Sequence, residues 1–180
     1  MNKIMKLALV LFLVCAVTAG ILGVVNEITK DRIAEINRLA TVAAYSAVLD
    51  ADGYDTLEAD TSAFPTVDKI SCATNGAGHV VELTVPGAQG LITVAVGVAP
   101  DYTCTGISII SHSETSGLGA NAAAQSEVGR SFREQFIGTD ENVALTKSGG
   151  TIDALSGATI TSNAVTTAVA TAIRAVKAIG

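Results

Sequence analysis

The sequence predicts an α+β fold, with a single N-terminal transmembrane helix followed by an extracytoplasmic domain in which helices pack on an antiparallel sheet. Three features predict it: a long uncharged segment near the N-terminus, three short runs rich in β-branched residues, and an amphipathic C-terminal segment. The 180 residues, 49% of them hydrophobic, suffice for one modest domain and an appendage. We divide the chain into an anchor (1–25), a juxtamembrane helix (26–50) and a folded domain (51–180).

The anchor is predicted from the 19 residues at 7–25, none of which carries a charge. As a helix they extend roughly 28 Å, close to the ~30 Å hydrocarbon core of a bilayer. Lys3 and Lys6 precede this run, so the positive-inside rule places the N-terminus in the cytoplasm and the remaining chain outside. The alternative is a cleaved signal peptide with a cleavage site near "VTAG" at 17–20. We favour the anchor because the apolar run continues to residue 25.

The charge balance excludes two classes of partner. Beyond residue 25, nine Lys and Arg (the 11 of the chain less Lys3 and Lys6) stand against 17 Asp and Glu, a net charge of −8. Nucleic-acid binding needs a basic surface, and so does a polybasic module that binds the membrane surface. We therefore expect no nucleic acid as a partner.

The cysteines and histidines show no metal-binding pattern. Cys15 lies in the predicted span, and neither Cys72 nor Cys104 has a CxxC neighbour. His79 and His112 have no Cys or His at ligand spacing, so we predict no metal site. Cys72 and Cys104 are either a disulfide, if the outside is oxidising, or two isolated buried thiols.

The elements follow from periodicity and turn residues. Helical spacing of apolar residues continues from the span to about residue 49, and the acidic stretch at 50–68 contains Gly and Pro and is predicted to be an irregular connector. Strands are predicted at 79–85, 91–98 and 104–111. The turns between them are too short for helices, so the three strands should form an antiparallel meander.

The C-terminal part is predicted to be mostly helical. A helix is expected at 121–136 and a further strand at 142–149. The segment 159–179 carries an apolar stripe with cations in its last turns, which is typical of an amphipathic helix packed on a sheet.

Two loops are candidates for chemistry. "DALSGATITS" at 153–162 leads into the last helix, where small residues let a large group approach and the helix N-terminus favours a phosphate. A threonine hydroxyl there could accept that phosphate covalently. "SHSETSGLG" at 111–119 follows the third strand and carries a carboxylate, a hydroxyl and an exposed leucine between glycines. Taken singly, the first motif is more simply a helix cap and the second a surface turn.

Taken together and in this order, the anchor, "NEITKDRI" after it, "HSETSGLG" and "DALSGATITS" resemble the FMN-binding subunits of the Rnf and Nqr respiratory complexes. The resemblance covers nearly the whole chain. The length favours the G subunit of the ion-translocating Rnf complex over the C subunit of Na+-translocating NADH:quinone reductase, which is generally longer. The segment 51–180 is then an FMN-binding domain.

The resemblance implies a covalent flavin. In this family a phosphoester bond joins FMN to the threonine matching Thr159, and a separate Mg-dependent flavin transferase installs it from FAD outside the membrane. Gly157 and Ala158 would give the cofactor room. Hydroxyls of the same motif are expected to bind the phosphate oxygens, namely those of Ser156, Thr161 and Ser162.

The "HSETSGLG" loop is expected to lie against the flavin ring. The expected contacts are Glu114, Thr115, Gly117 and Leu118. Ser116 departs from the family pattern, which usually has Pro before "GLG".

The function implied is that of an electron-carrying subunit. Within an Rnf-type complex, ferredoxin oxidation and NAD+ reduction are coupled to Na+ or H+ translocation, and catalysis belongs to the whole assembly. No Rossmann glycine pattern and no cysteine ligand set occurs in the sequence, so this chain would be a relay among the other subunits. Two alternatives stay open: a stand-alone anchored flavoprotein, and a structural subunit without cofactor.

Overall fold

A computed structural model describes residues 3–59 and 62–179, and these form an α+β fold as the sequence predicts. The helices and strands, in chain order, are α1 (Lys3–Val48), β1 (Tyr54–Leu57), β2 (Val67–Ala73), β3 (His79–Pro86), β4 (Leu91–Val98), β5 (Cys104–His112), α2 (Glu127–Glu134) and α3 (Thr159–Ile179). Two short 3₁₀ segments, Gly119–Ala122 and Thr146–Ser148, lie between β5 and α3.

Helix α1 is long and apolar enough to cross a membrane. It has 46 residues without a break, and its most apolar 18-residue window has a mean hydropathy of 2.8 and is not buried by the rest of the protein. The chain divides between Leu39 and Ala40 into two compact units, so the apolar part of α1 lies in the first unit and the last turns of α1 lie in the second. The helix thus has the length and composition of the predicted single-pass anchor.

The five strands form one antiparallel sheet in the order β1-β2-β3-β4-β5. Each strand pairs with the next along the chain, and the β3–β4 hairpin keeps its register from His79↔Val98 to Pro86↔Leu91. The predicted strands at 79–85, 91–98 and 104–111 are confirmed, each to within one residue. The meander follows from their short connections, which cannot cross over the sheet.

Helix α3 covers one face of this sheet. Every second side chain of β3 and β4 points to this face, and these side chains are aliphatic and buried. The core on this side is built from Val81, Leu83, Val85, Ile92, Val94 and Val96 of the sheet and Val165, Val169, Ile173 and Val176 of α3. The predicted helix at 159–179 is confirmed.

The last turns of α1 cover the opposite face. Tyr45 and Val48 are only 4% and 3% exposed and pack with Val80 of the sheet. The Tyr45 hydroxyl donates to Glu82 Oε2 at 3.1 Å, and burial together with that carboxylate raises the pKa of Tyr45 to about 12. Close approach requires glycine at Gly97, where a Cβ would lie 2.4 Å from the Val48 carbonyl oxygen. The end of α1 is therefore part of the folded domain.

The irregular connector predicted at 50–68 is partly wrong, because it contains β1 and the start of β2. Strand β2 has no strict alternation: the register shifts between Val67 and Lys69, and Ile70 and Ser71 are both buried. A bulge of this kind removes the period-2 signal that identifies a strand in sequence. Strand β1 has only four residues, all of them at least partly exposed.

The single helix predicted at 121–136 is partly wrong, because only its second half forms an α-helix. The structure has the 3₁₀ segment to Ala122 and then α2, which begins only after Ser126. Ser126 has the extended backbone of a helix N-cap, and its hydroxyl accepts from the Gly129 N–H at 3.4 Å. The Arg133 guanidinium binds the Ala122 and Ala124 carbonyl oxygens at 2.7 and 2.9 Å, so these groups are not available to a continuous helix.

The strand predicted at 142–149 is wrong as well. In this segment the Asn142 N–H donates to Asp140 Oδ1 at 2.9 Å, and the 3₁₀ turn ends at Gly149 with a left-handed φ of 85°. Only a single bridge, between Leu145 and Ile152, has β character. Side chain–backbone bonds and glycines favour turns here over a ladder.

The sheet order answers the question about Cys72 and Cys104. Both are free thiols, on β2 and β5, and two strands lie between them. Strands are about 4.8 Å apart, so the separation is roughly 14 Å, twice the ~7 Å limit for bridging two Cα atoms. The structure thus has two isolated thiols.

We expect both thiols to stay reduced in the native protein after exposure to air. Burial raises the pKa of Cys104 to about 12, so Cys104 should resist alkylation until the domain unfolds. Mass spectrometry after iodoacetamide treatment, with and without guanidinium, checks this. A peptide pair joined through Cys72 and Cys104 would contradict the strand order.

Candidate functional site

A cleft of about 360 Å³ lies where three segments meet: the β3–β4 turn, the loop after β5 and the first turn of α3. The two predicted loops, far apart in sequence, form two of its walls. Its lining residues are Ala88, Gln89, Glu114, Thr115, Leu118, Gly119, Gly157, Ala158, Thr159, Ile160 and Thr161. The volume lies in the range of small-molecule and cofactor sites.

The two loops touch through Leu118 and Gly157. A Cβ at Gly157 would lie 3.0 Å from the Leu118 Cδ2 atom, and the φ of Gly157 is +71°, a left-handed value that favours glycine. Leu118 nevertheless remains 45% exposed, and Ile160 on the helix is 65% exposed. The cleft therefore has apolar groups at its rim that nothing within the described residues covers.

The start of α3 presents free backbone donors. Ala158 is in the N-cap position, since its carbonyl oxygen accepts from the Ser162 N–H at 2.9 Å. Within the described residues, the N–H groups of Thr159, Ile160 and Thr161 have no hydrogen-bond acceptor, and no side-chain oxygen caps them. Such unpaired N–H groups at a helix N-terminus bind anions such as phosphate.

Thr159 is exposed at this helix end. Its hydroxyl has no hydrogen-bond partner in the part of the chain that the structure describes, and it stands beside the free N–H groups of the first turn. The small residues Gly157 and Ala158 precede it. A phosphate bound to this hydroxyl would lie at the positive end of the helix dipole.

The hydroxyls of Thr161 and Ser162 are already used within the protein. The Ser162 hydroxyl accepts from the Leu155 N–H at 3.0 Å and donates to the Ala158 carbonyl oxygen at 2.9 Å, and the residue is fully buried. The Thr161 hydroxyl donates to Glu114 Oε2. Both residues therefore shape the helix start, whereas the backbone N–H groups are the free donors.

Glu114 is part of the cleft lining, although only 8% of its surface is exposed. Its Oε1 accepts from the N–H groups of Ala88 and Gln89 at 2.9 and 3.0 Å, and its Oε2 accepts from the Thr161 hydroxyl. Burial alone would raise the pKa of Glu114, but these three hydrogen bonds bring it below its ordinary value. The carboxylate is therefore ionised at neutral pH.

The structure brings most of the predicted site residues into one cleft. Glu114, Thr115, Leu118, Gly157, Ala158, Thr159 and Thr161 line it. The other three lie beside it: Gly117 turns the loop with a φ of +78°, Ser162 is buried beneath the helix start, and Ser156 faces a neighbouring groove with Asp153.

Sequence reasoning missed four lining residues, namely Ala88, Gln89, Gly119 and Ile160. The turn at 86–90 has a "PGAQG" pattern that predicts only a hairpin connection. Ile160 belongs to the apolar stripe assigned to α3, yet it is exposed at the cleft. Ile160 precedes Ala164 by four residues and lies in the first turn of α3. This position at the end of the apolar stripe was the signal that could have identified it.

Family models match both parts of the chain. Residues 1–48 match the RnfG N-terminal region, and residues 87–174 match an FMN-binding domain whose span contains the whole cleft lining. The chain is 32% identical to the G subunit of the ion-translocating oxidoreductase complex of Methanosarcina acetivorans, over 98% of this chain and 96% of the relative. The chain belongs to the Rnf complex G-subunit family.

Two further relatives agree. The chain is 32% identical to the G subunit of the Na+-translocating ferredoxin:NAD+ oxidoreductase complex of Acetobacterium woodii, over 92% of this chain and 88% of the relative. It is also 32% identical to the G subunit of the ion-translocating oxidoreductase complex of Pseudomonas aeruginosa, over 96% of this chain and 88% of the relative. As a member of this family with an FMN-binding domain, the protein has an electron-transfer role in a complex with other subunits.

The cleft fits a flavin mononucleotide. Free N–H groups at the start of α3 suit a phosphate, and the exposed Leu118 and Ile160 side chains suit a flat apolar ring. The small residues Gly157 and Ala158 line the same cleft.

Proposed function

We propose that this Rnf-family protein holds FMN covalently, through its phosphate, on the Thr159 hydroxyl. The chain would relay electrons between redox centres of an Rnf-type complex that couples ferredoxin oxidation and NAD+ reduction to Na+ or H+ translocation. The family membership supports the electron-transfer role and the FMN. The attachment point and the coupling are the proposal.

A single observation carries the assignment of Thr159. It is the one hydroxyl among the lining residues that combines exposure, the absence of a described hydrogen-bond partner and a place beside the free N–H groups of α3. Thr161 is buried and bonded to Glu114, and Thr115 lies on the opposite wall. Thr159 is thus both reachable by an external enzyme and suited to hold a phosphate.

The attachment is a phosphoryl transfer that balances with FAD as the donor. The Thr159 oxygen forms a bond to the phosphorus on the riboflavin side of the FAD pyrophosphate, and the bond from that phosphorus to the bridging oxygen breaks. AMP leaves, and the hydroxyl proton is released. A separate flavin transferase would bind the 153–159 segment, in which Asp153, Ser156 and Thr159 are exposed. It would supply the base and the metal ion, because the described residues offer no base at the hydroxyl.

The chain's own residues would position the cofactor and limit its exposure to water. Bound FMN supplies the redox chemistry, and the protein supplies orientation and electrostatics. The N–H groups of Thr159 to Thr161 would hold the phosphate, and the Leu118 and Ile160 side chains would cover the faces of the ring. Gly157, with its left-handed φ of +71°, would form the tight turn ahead of Thr159 without a side chain that opposes the cofactor.

The proposed membrane placement rests on α1. Lys3 and Lys6 precede the apolar window and the acidic domain follows it, so the domain would lie outside the cytoplasm with the N-terminus inside. The same helix would tether the flavin domain to the membrane that holds the partner subunits of the complex.

In-gel fluorescence after denaturing electrophoresis tests the proposal. Full-length protein made with a flavin transferase should give a fluorescent band, and the same protein made without the transferase should give a dark one. A control protein that is known to be flavinylated must fluoresce in the first host. A dark band beside a fluorescent control would contradict a covalent flavin and favour the structural-subunit alternative.

A further inference from the structure

The Glu114 carboxylate joins all three walls of the cleft. It belongs to the loop after β5, its Oε1 accepts from the β3–β4 turn through Ala88 and Gln89, and its Oε2 accepts from α3 through Thr161. With both oxygens so engaged, it has little capacity left for a ligand.

The space around this carboxylate is made by two glycines. A Cβ at Gly87 would lie 2.4 Å from Glu114 Oε1, and a Cβ at Gly119 would lie 2.3 Å from Oε2 and 2.5 Å from the Thr161 hydroxyl. Any other residue at either position would displace the carboxylate or the segment it holds. The contacts of Glu114 with the two other walls therefore require glycine at positions 87 and 119.

We propose that Glu114 is a positioning residue of the flavin cleft, which acts through the β3–β4 turn and Thr161 and gives the cleft wall a fixed negative charge. It does so without serving as the direct flavin contact that the sequence motif suggests. The inference deepens the proposed function and rests on it for the identity of the ligand in the cleft. The positioning role of Glu114 within the cleft wall rests only on the contacts of Glu114.

The negative charge of Glu114 is not neutralised by a lysine or arginine among the described residues; the charged group that acts on it is the His112 imidazole, which helps to lower its pKa. None of the described Lys and Arg residues forms an ion pair with it, and its partners are two N–H groups and one hydroxyl. These groups orient toward a negative charge without cancelling it. A fixed negative charge beside a flavin opposes the addition of electrons, so Glu114 should hold the flavin's midpoint potential down.

Three variants of the full-length, flavin-loaded protein distinguish the effect of the Glu114 charge from the effect of its hydrogen bonds. Glu114→Gln keeps the shape, and its amide oxygen can still accept from Ala88 and Gln89, but the charge is gone. Glu114→Ala removes both. Thr161→Val removes one hydrogen bond and leaves the charge in place.

Two readouts decide the proposal. Amide exchange of Ala88 and Gln89 should accelerate roughly tenfold or more in Glu114→Ala and little in Thr161→Val, because only the first loses the acceptor of these N–H groups. The midpoint potential should shift to more positive values in Glu114→Gln, and by clearly more than in Thr161→Val, which keeps the charge.

The outcomes are distinguishable from those of the proposed function. Unchanged amide exchange in Glu114→Ala, or an unchanged potential in Glu114→Gln, would overturn the positioning role. If Glu114→Ala does not fold, the potentials of Glu114→Gln and Thr161→Val decide. If the native protein carries no flavin at Thr159, the proposed function fails. Amide exchange alone then supports or overturns the positioning role of Glu114.

Discussion

Thr159→Ala is expected to abolish covalent flavin completely, because no phosphoester can form without the hydroxyl oxygen. The fold should survive. Thr159 is exposed, its side chain makes no hydrogen bond among the described residues, and alanine has the higher helix propensity. We expect the free energy of unfolding to change by no more than about 0.5 kcal/mol. In-gel fluorescence and thermal denaturation measure the two effects.

Two control variants sharpen this test. Thr159→Ser keeps an oxygen at the same position and should retain covalent flavin at least in part. Thr167→Ala removes another exposed threonine hydroxyl of α3, two turns further along and outside the cleft lining, and should leave the flavin untouched. Covalent flavin in Thr159→Ala, or its loss in Thr167→Ala, would be incompatible with attachment at Thr159.

Removal of residues 1–39 is expected to move the protein from the membrane fraction to the aqueous fraction. This deletion takes away the whole apolar window of α1 and begins the chain at Ala40, where the folded domain starts. The domain should keep its stability, since Tyr45 and Val48 remain to cover the sheet. Membrane fractionation and circular dichroism measure the outcome.

A longer deletion provides the matched comparison. A chain that begins at Asp50 lacks Tyr45 and Val48 and exposes Val80, which is fully buried in the native domain. Each buried side chain of this size contributes about 1.5–3 kcal/mol, so this variant should unfold at a clearly lower temperature. Equal stability of the two deletions would show that the end of α1 is dispensable. A 40–180 protein that stays in the membrane fraction would show that α1 is not the anchor.

Much of the sheet and α3 could be predicted because their signals are local. Strand β3 alternates over most of its length, β4 is a run rich in β-branched residues, a Pro- and Gly-marked turn joins them, and α3 has a continuous apolar stripe. Strand β2 escaped prediction because a bulge interrupts its alternation. The helix predicted at 121–136 failed because the Ser126 cap and the Arg133 side chain divide it.

The site was half predictable for a similar reason. Each of the two motifs is contained within a few consecutive residues, so Thr159 and Leu118 could be predicted from the sequence as site residues, and both line the cleft. The third wall depends on a contact between Glu114 and Gln89, 25 residues away, and no local pattern encodes that contact. The same contact is the basis of the positioning role that we propose for Glu114.

Peptide mass spectrometry tests the central claim most directly. Trypsin should release residues 148–174 as one peptide, since no Lys or Arg lies between Lys147 and Arg174. Fragmentation of this peptide, from protein matured with a flavin transferase, should place the mass of one FMN on Thr159. The same mass on Ser156, Thr161 or another hydroxyl, or its absence from the peptide when a control protein is flavinylated, would contradict the account.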